Sequence, residues 1–153
     1  MSATTTATNT ITIVVYGEAQ PAGSKRGFAF KRQNGSTGVA ISDANPKSRC
    51  WKNQVSDAAG SQYSGELLRG AIELTLRFYK PRPKSHYTSK GLITKSAPDE
   101  WTSKPDVLKL ARGVEDSLSG IVYADDAQIV DEHLQKRFGS PARCEIEIRE
   151  LEF

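Results

Sequence analysis

The stretch KPDVLKLARGVEDSLSGIVYADDAQIV, residues 104–130, holds a helix, a stop and the opening of a strand in that order. Pro105 suits a first helical turn, where its missing N–H is no loss. Val107, Leu110, Val114 and Leu118 recur at helical spacing and form one continuous apolar stripe. Gly120 ends the helix. After Asp125-Asp126 the pattern turns strand-like from Ile129-Val130 to Phe138, and Gly139-Ser140-Pro141 marks a turn. Cys144, Ile146 and Ile148 then alternate with Glu145, Glu147 and Arg149, the period of a last strand.

Toward the N-terminus, Ile72, Leu74, Leu76 and Phe78 alternate with Glu73, Thr75, Arg77 and Tyr79, which predicts a half-buried strand over 71–79. Asn45-Pro46 opens a helix with Asn45 as its cap, and Trp51, Val55, Ala58 and Ala59 give it an apolar side as far as Gly60. Phe28–Arg32 and Gly38–Ser42 flank Asn34-Gly35, the signal of a tight hairpin. Ile11–Tyr16 is a β-branched run, read as a buried strand. The expected fold is α+β: a single two-layer domain, a mixed sheet of about five or six strands packed by two main helices. Residues 1–10, rich in Thr and Ala, read as a disordered tail, and residues 11–153 as the folded domain.

Composition excludes several classes. No apolar run approaches the roughly 20 residues of a membrane helix, and the N-terminus lacks the basic and apolar regions of a secretory signal. A cytoplasmic protein is expected. Cys50 and Cys144 fit reduced thiols, and with His86 and His133 they give no zinc-ligand spacing. The net charge of +3 conceals an asymmetry. Residues 1–98 hold 14 Lys/Arg against 5 Asp/Glu, whereas residues 99–153 hold 7 against 13. A basic part can attract a polyanion, and an acidic part can gather carboxylates around a cation; the same asymmetry also serves plain solubility.

The basic residues fall in loops and strand ends. Lys25-Arg26, Lys31-Arg32 and the polar stretch 80–103, with Lys84, Lys90 and Lys95, are candidate contacts to a phosphate backbone. Lys104, Lys109 and Arg112 extend this set into the helix. Trp101 and Tyr87, interspersed among them, read more readily as packing than as platforms for an opened base.

For chemistry, three acids stand out. Asp106 lies in the first helical turn, where the helix dipole favours a carboxylate. Asp125 and Asp126 follow the helix, and a short return can bring them back toward its start. Hard oxygen donors from separate elements are what Mg²⁺ takes, with Mn²⁺ as a substitute. Taken singly, Asp106 is more often a cap or first-turn acid, Asp125-Asp126 more often a turn, and Glu115 and Asp116 more often solvated helix charges.

The pattern as a whole resembles the RusA-type Holliday junction resolvases, in their phage-borne branch. Pro105-Asp106, Leu110, Arg112, Asp116-x-Leu118-x-Gly120 and Asp125-Asp126-x-Gln128 carry the likeness, supported by Pro21-x-Gly-Ser-Lys-Arg, Asn45-Pro46-Lys47 with Trp51, and Leu74-x-Leu-x-Phe78. The resemblance implies a homodimeric, Mg²⁺-dependent endodeoxyribonuclease that nicks four-way junctions in a bacterium or a phage-infected host. It implies Asp106, Asp125 and Asp126 as metal ligands, with Asp126 the essential member of its pair, and Arg112 in place of the family's catalytic lysine. The family's second acid is Leu108 here, and its asparagine is Lys109. Arg112 stays protonated at neutral pH, so its part is to clamp phosphate rather than donate a proton. Asp116 lies ten residues past Asp106, roughly 15 Å along one helix, which points to Asp125 rather than Asp116 or Glu115 as the second ligand; Asp99 and Glu100 are weaker candidates. A junction-binding protein without chemistry, or a nuclease for another branched substrate, are the competing readings.

Overall fold

The alternation in residues 71–79 is what places the core. Ile72, Leu74, Leu76 and Phe78 are fully buried and face the helices, while Glu73, Thr75, Arg77 and Tyr79 face the other way. The computed structural model describes residues 10–22, 25–43 and 46–152. In chain order the elements are β1 (Thr10–Tyr16), β2 (Lys25–Lys31), β3 (Thr37–Asp43), α1 (Pro46–Gln62), β4 (Ile72–Lys80), α2 (Val107–Leu118), β5 (Ile129–Phe138) and β6 (Arg143–Glu150).

Four strands form one mixed sheet in the order β1-β6-β4-β5. β6 runs antiparallel to both β1 and β4, whereas β4 and β5 are parallel. A parallel pair needs a crossover, and α2 supplies it. Leu110, Ala111, Val114 and Leu118 of α2 and Trp51, Val55 and Ala59 of α1 pack on the sheet over Ile13, Val15, Ile146 and Ile148. The α+β expectation holds, with one difference. The strands divide into this sheet and a separate β2-β3 hairpin. Asn34-Gly35 is its turn: Gly35 takes φ +85°, and Asn34 Oδ1 accepts from the Ser36 N–H at 3.0 Å.

Helix α1 runs through Gly60 to Gln62. A single glycine costs a helix only about 1 kcal/mol, and the Gln62 amide is held on β1, donating to the Val14 carbonyl at 2.8 Å and accepting its N–H at 2.9 Å. Asn45 lies outside the described residues, as do Met1 to Asn9 of the expected tail, while Thr10 already belongs to β1. Among the described residues, the opposite face of the sheet carries no helix, and it is laced by ion pairs, Arg77–Glu147 at 2.9 Å and Arg149–Glu73 at 2.7 Å. No helix among the described residues is long and apolar enough to cross a membrane.

Candidate nuclease site

Helix α2 divides the acidic residues between its two ends. Asp106 is the residue just before the helix, extended at φ −64° and ψ 143°, and its side chain makes no capping hydrogen bond. Beside it, the Lys136 ammonium donates to the carbonyls of Ser103 (2.9 Å) and Pro105 (3.0 Å). Burial lowers the Lys136 pKa and Lys80 adds to that, while the nearby Asp106 charge opposes both. Lys136 and Lys80 also lie over the Trp101 ring, 5.0 and 5.7 Å from its centre. Trp101 is buried and its indole N–H donates to the Ser103 carbonyl at 2.9 Å, so it is a packing residue. A cleft of about 410 Å³ opens here, lined by Gln20, Pro21, Lys104, Pro105, Asp106 and Lys109. The Pro21 loop is fixed on the helix by the Ala22 N–H, which donates to the Lys109 carbonyl at 3.0 Å.

The return after α2 is built around Gln128. Its side-chain amide donates to the carbonyls of Leu68 (3.0 Å) and Gly70 (2.9 Å), and its oxygen accepts from the Asp125 N–H at 2.8 Å. Asp125 Oδ1 in turn accepts from the Ala127 N–H at 3.0 Å. Together they cap a single 3-10 turn, Asp126–Gln128. That hydrogen bond, with a second to Asp126, holds the Asp125 carboxyl below its ordinary range. Gly120, at φ +82°, makes the reversal that starts this segment.

This turn sets Asp126 beside the C-terminal half of α2. Its carboxyl pKa is raised, first by its hydrogen bond with Asp125, then by burial and by the charges of Asp125 and Asp116. Glu115 is pushed up to about 8, chiefly by burial, then by a shared hydrogen bond with Glu132 of β5 and by the charges of Glu132, Asp126 and Asp116. Glu132 Oε2 is buried without a hydrogen-bond partner among the described residues. Lys52 of α1 reaches the group, its ammonium 3.6 Å from Asp116. Buried Tyr123 underlies it, donating to the Glu115 carbonyl at 2.8 Å.

The expectation that the return brings Asp125 and Asp126 to the start of the helix is thus corrected. Asp126 comes within the field of Glu115 and Asp116 at the other end of the helix, with Asp125 beside it, because β5 runs back along α2 and reaches the Asp106 end only at Lys136. Glu115 is therefore half-buried within a carboxylate group, while Asp116 stays exposed at its edge, as a solvated helix charge does. Glu132 was legible as an anomaly, an acid on the same strand face as Leu134 and Phe138. Leu108, which the resemblance set at the position of a second acid, is 69% exposed. Lys109 and Arg112 are exposed on α2, one turn apart. Lys31, Arg32, Lys84, Lys90, Lys95 and Lys104 are all exposed, and the side chains of Lys25 and Arg26 lie outside the described residues. Among the described residues, Glu73, Asp131 and His133 bring three donor atoms within 4.8 Å of one another. They sit on the open sheet face, where Arg149 already holds Glu73.

Compared with known proteins, residues 18–149 match the family described as Endodeoxyribonuclease RusA. The chain belongs to the RusA endodeoxyribonuclease family. It is also 33% identical over 143 residues to YqaN of Bacillus subtilis (strain 168), described as an uncharacterized protein, with 92% of this chain and 96% of that one covered. The RusA match takes in both ends of α2, the capped turn and β5.

Proposed function

We propose that this chain is a divalent-cation-dependent endonuclease that resolves four-way DNA junctions by paired nicks, working as a homodimer in the cytoplasm of a bacterium or of a phage-infected host. The observation that carries the reading is the gathering of Glu115, Asp116, Asp126 and Glu132 around the capped turn. These carboxylates repel one another, and the group pairs that repulsion with a raised Glu115 pKa and a buried Glu132 oxygen that has no hydrogen-bond partner among the described residues. A cation can relieve both, and an all-oxygen donor set suits Mg²⁺, or Mn²⁺ in its place. Asp126, Asp116 and Glu132 would hold it, with Asp125 fixing the turn and Asp106 acting from the other end of α2. Bound there, the metal would polarise a scissile phosphate and stabilise the departing oxygen.

The residues of the chain do the positioning. Arg112 and Lys109 on α2 would clamp backbone phosphates, the arginine in bidentate fashion. Lys84, Lys90, Lys95 and Lys104 would add contacts that give affinity without sequence preference. Exposed Leu108 favours a second reading, a junction-binding protein without cleavage, because an apolar side chain stands where a second acid would support Asp106. Cleavage of a synthetic four-way junction beside a linear duplex and a flap, in Mg²⁺, Mn²⁺ or EDTA, separates the two. The expected result is symmetric, metal-dependent nicking of the junction. Asp126→Asn or Asp106→Asn should cut at least about a hundredfold more slowly while binding the junction as before. Junction binding with no cut under any ion would overturn the nuclease reading, and preferential flap cleavage would overturn the substrate.

A further inference from the structure

We propose that Lys136 of β5 is a positioning residue for Asp106: its ammonium holds the chain on the N-terminal side of that aspartate, and so sets the carboxylate in its cleft. The inference deepens the nuclease reading above and rests on it for the part that Asp106 plays. An aspartate just before a helix ordinarily fixes itself by accepting an N–H of the first turn. Asp106 makes no such bond. Its carboxylate is left for the cleft that it lines, and its place depends on the backbone to either side. On the helix side, the Asp106 carbonyl accepts from the Leu110 N–H at 3.2 Å, the long end of the usual range. On the other side lies Ser103-Lys104-Pro105, which belongs to no helix or strand. Pro105 has no N–H of its own to be held by.

Lys136 reaches this stretch from the sheet. Alternation along β5 sets it on the same face as Leu134 and Phe138, which pack against the core. A lysine directed that way ordinarily carries its ammonium out to water. This one spends two of its three donors on backbone, giving one to the Ser103 carbonyl at 2.9 Å and one to the Pro105 carbonyl at 3.0 Å. Those carbonyls flank Lys104, and the second belongs to the residue bonded to Asp106. Trp101 completes the anchor. Its indole N–H donates to the same Ser103 carbonyl at 2.9 Å, and the Lys136 ammonium lies 5.0 Å from the centre of its ring. Trp101 is 6% exposed, so the anchor is set in the core. Bonds from a charged donor are roughly twice as strong as those from a neutral one. Lys136 thus ties the entry of α2 to the sheet, where the helix itself supplies no side-chain cap.

The test compares wild type, Lys136→Met and Lys136→Arg by junction binding in EDTA, single-turnover junction cleavage in Mg²⁺, and amide exchange in metal-free, DNA-free protein. Methionine keeps the unbranched stem and loses every donor, whereas arginine keeps the charge and enough donors for both carbonyls. Lys136→Met should bind the junction within about threefold of wild type and cut it about tenfold to a hundredfold more slowly, since a small misplacement of a reacting group is enough for that. A general loss of fold lowers binding and cleavage together and does not give this split. Lys136→Arg should cut within about fivefold of wild type. In Lys136→Met the Leu110 amide, which the Asp106 carbonyl accepts, should exchange about tenfold faster or more, while the Val114 and Leu118 amides deeper in α2 keep the wild-type rate. Cleavage by Lys136→Met at the wild-type rate, equal losses of binding and cleavage, an arginine variant no faster than the methionine one, or unchanged Leu110 exchange would each overturn the proposal. A wild-type chain that binds the junction and cuts it under no ion would overturn the nuclease reading, and Leu110 exchange would then decide the anchor by itself.

Discussion

At the scale of single residues, Glu115 makes the sharpest statement about the site. Its carboxyl is half-buried against Glu132 and within the field of Asp126 and Asp116, and it holds a proton up to about pH 8. A folded-state pKa raised above the unfolded value means that the proton stabilises the native state. That contribution is fully present below about 4.5 and is lost as pH rises through about 8. Without divalent metal, the thermal midpoint of the wild-type chain should fall between about pH 5 and about pH 9 by more than that of Glu115→Gln, whose neutral amide keeps the hydrogen bond to Glu132. The variant should gain roughly 2–4 °C over wild type at the upper end, the scale of about 1 kcal/mol in a chain of this size, since solvent access reduces the effect below the bare shift. Millimolar Mg²⁺ should flatten the wild-type curve toward that of the variant. Parallel curves in thermal scans would show that Glu115 is not protonated by its neighbours.

At the scale of elements, the turn between α2 and β5 decides where the acids go. Gln128 spends both ends of its amide there, on Leu68, Gly70 and the Asp125 N–H. Gln128→Ala leaves those groups short of partners and should cost about 1–3 kcal/mol in urea unfolding. It should also release Asp126 from its place beside Asp116, so that Mg²⁺ no longer raises the thermal midpoint. A variant as stable and as metal-responsive as wild type would remove Gln128 from this role. The elements themselves were legible. The apolar stripe from Val107 to Leu118, the Asn34-Gly35 turn and the alternation in β4 each declare a local geometry that the fold keeps. The position of the acids was not, because it depends on which end of α2 the return strand meets first. Spacing along the helix correctly separates Asp106 from Asp116, but it says nothing of where Asp125 and Asp126 land.

At the scale of the whole molecule, the fold redistributes the charge that the two sequence halves separate. The acids of β6 are largely spent on arginines of the open sheet face, as Glu147 is on Arg77 and Glu145 on Arg143. Lys84, Lys90 and Lys95 of the 80–103 stretch remain exposed, on a segment ordered by a 3-10 turn at Lys84–His86 and by Arg82, which donates to the Pro98 carbonyl at 2.6 Å and pairs with Asp99 at 3.2 Å. Replacing Lys84, Lys90 and Lys95 together by alanine should weaken junction binding and lower the slope of log affinity against log salt by roughly 0.9 for each DNA phosphate no longer neutralised. An unchanged slope in titrations at several salt concentrations would take this loop off the DNA. By itself the sequence determined the element types, the α+β class and the family likeness, because helical and strand periods, turn residues and a spaced motif are local properties of the chain. Only the tertiary structure decided that the strands split into a sheet and a hairpin, that Trp101 is core, and that Glu115, Asp116, Asp126 and Glu132 form one group with Asp106 set apart. Those outcomes depend on packing between residues far apart in sequence, fixed by the way α2 and β5 lie on the sheet.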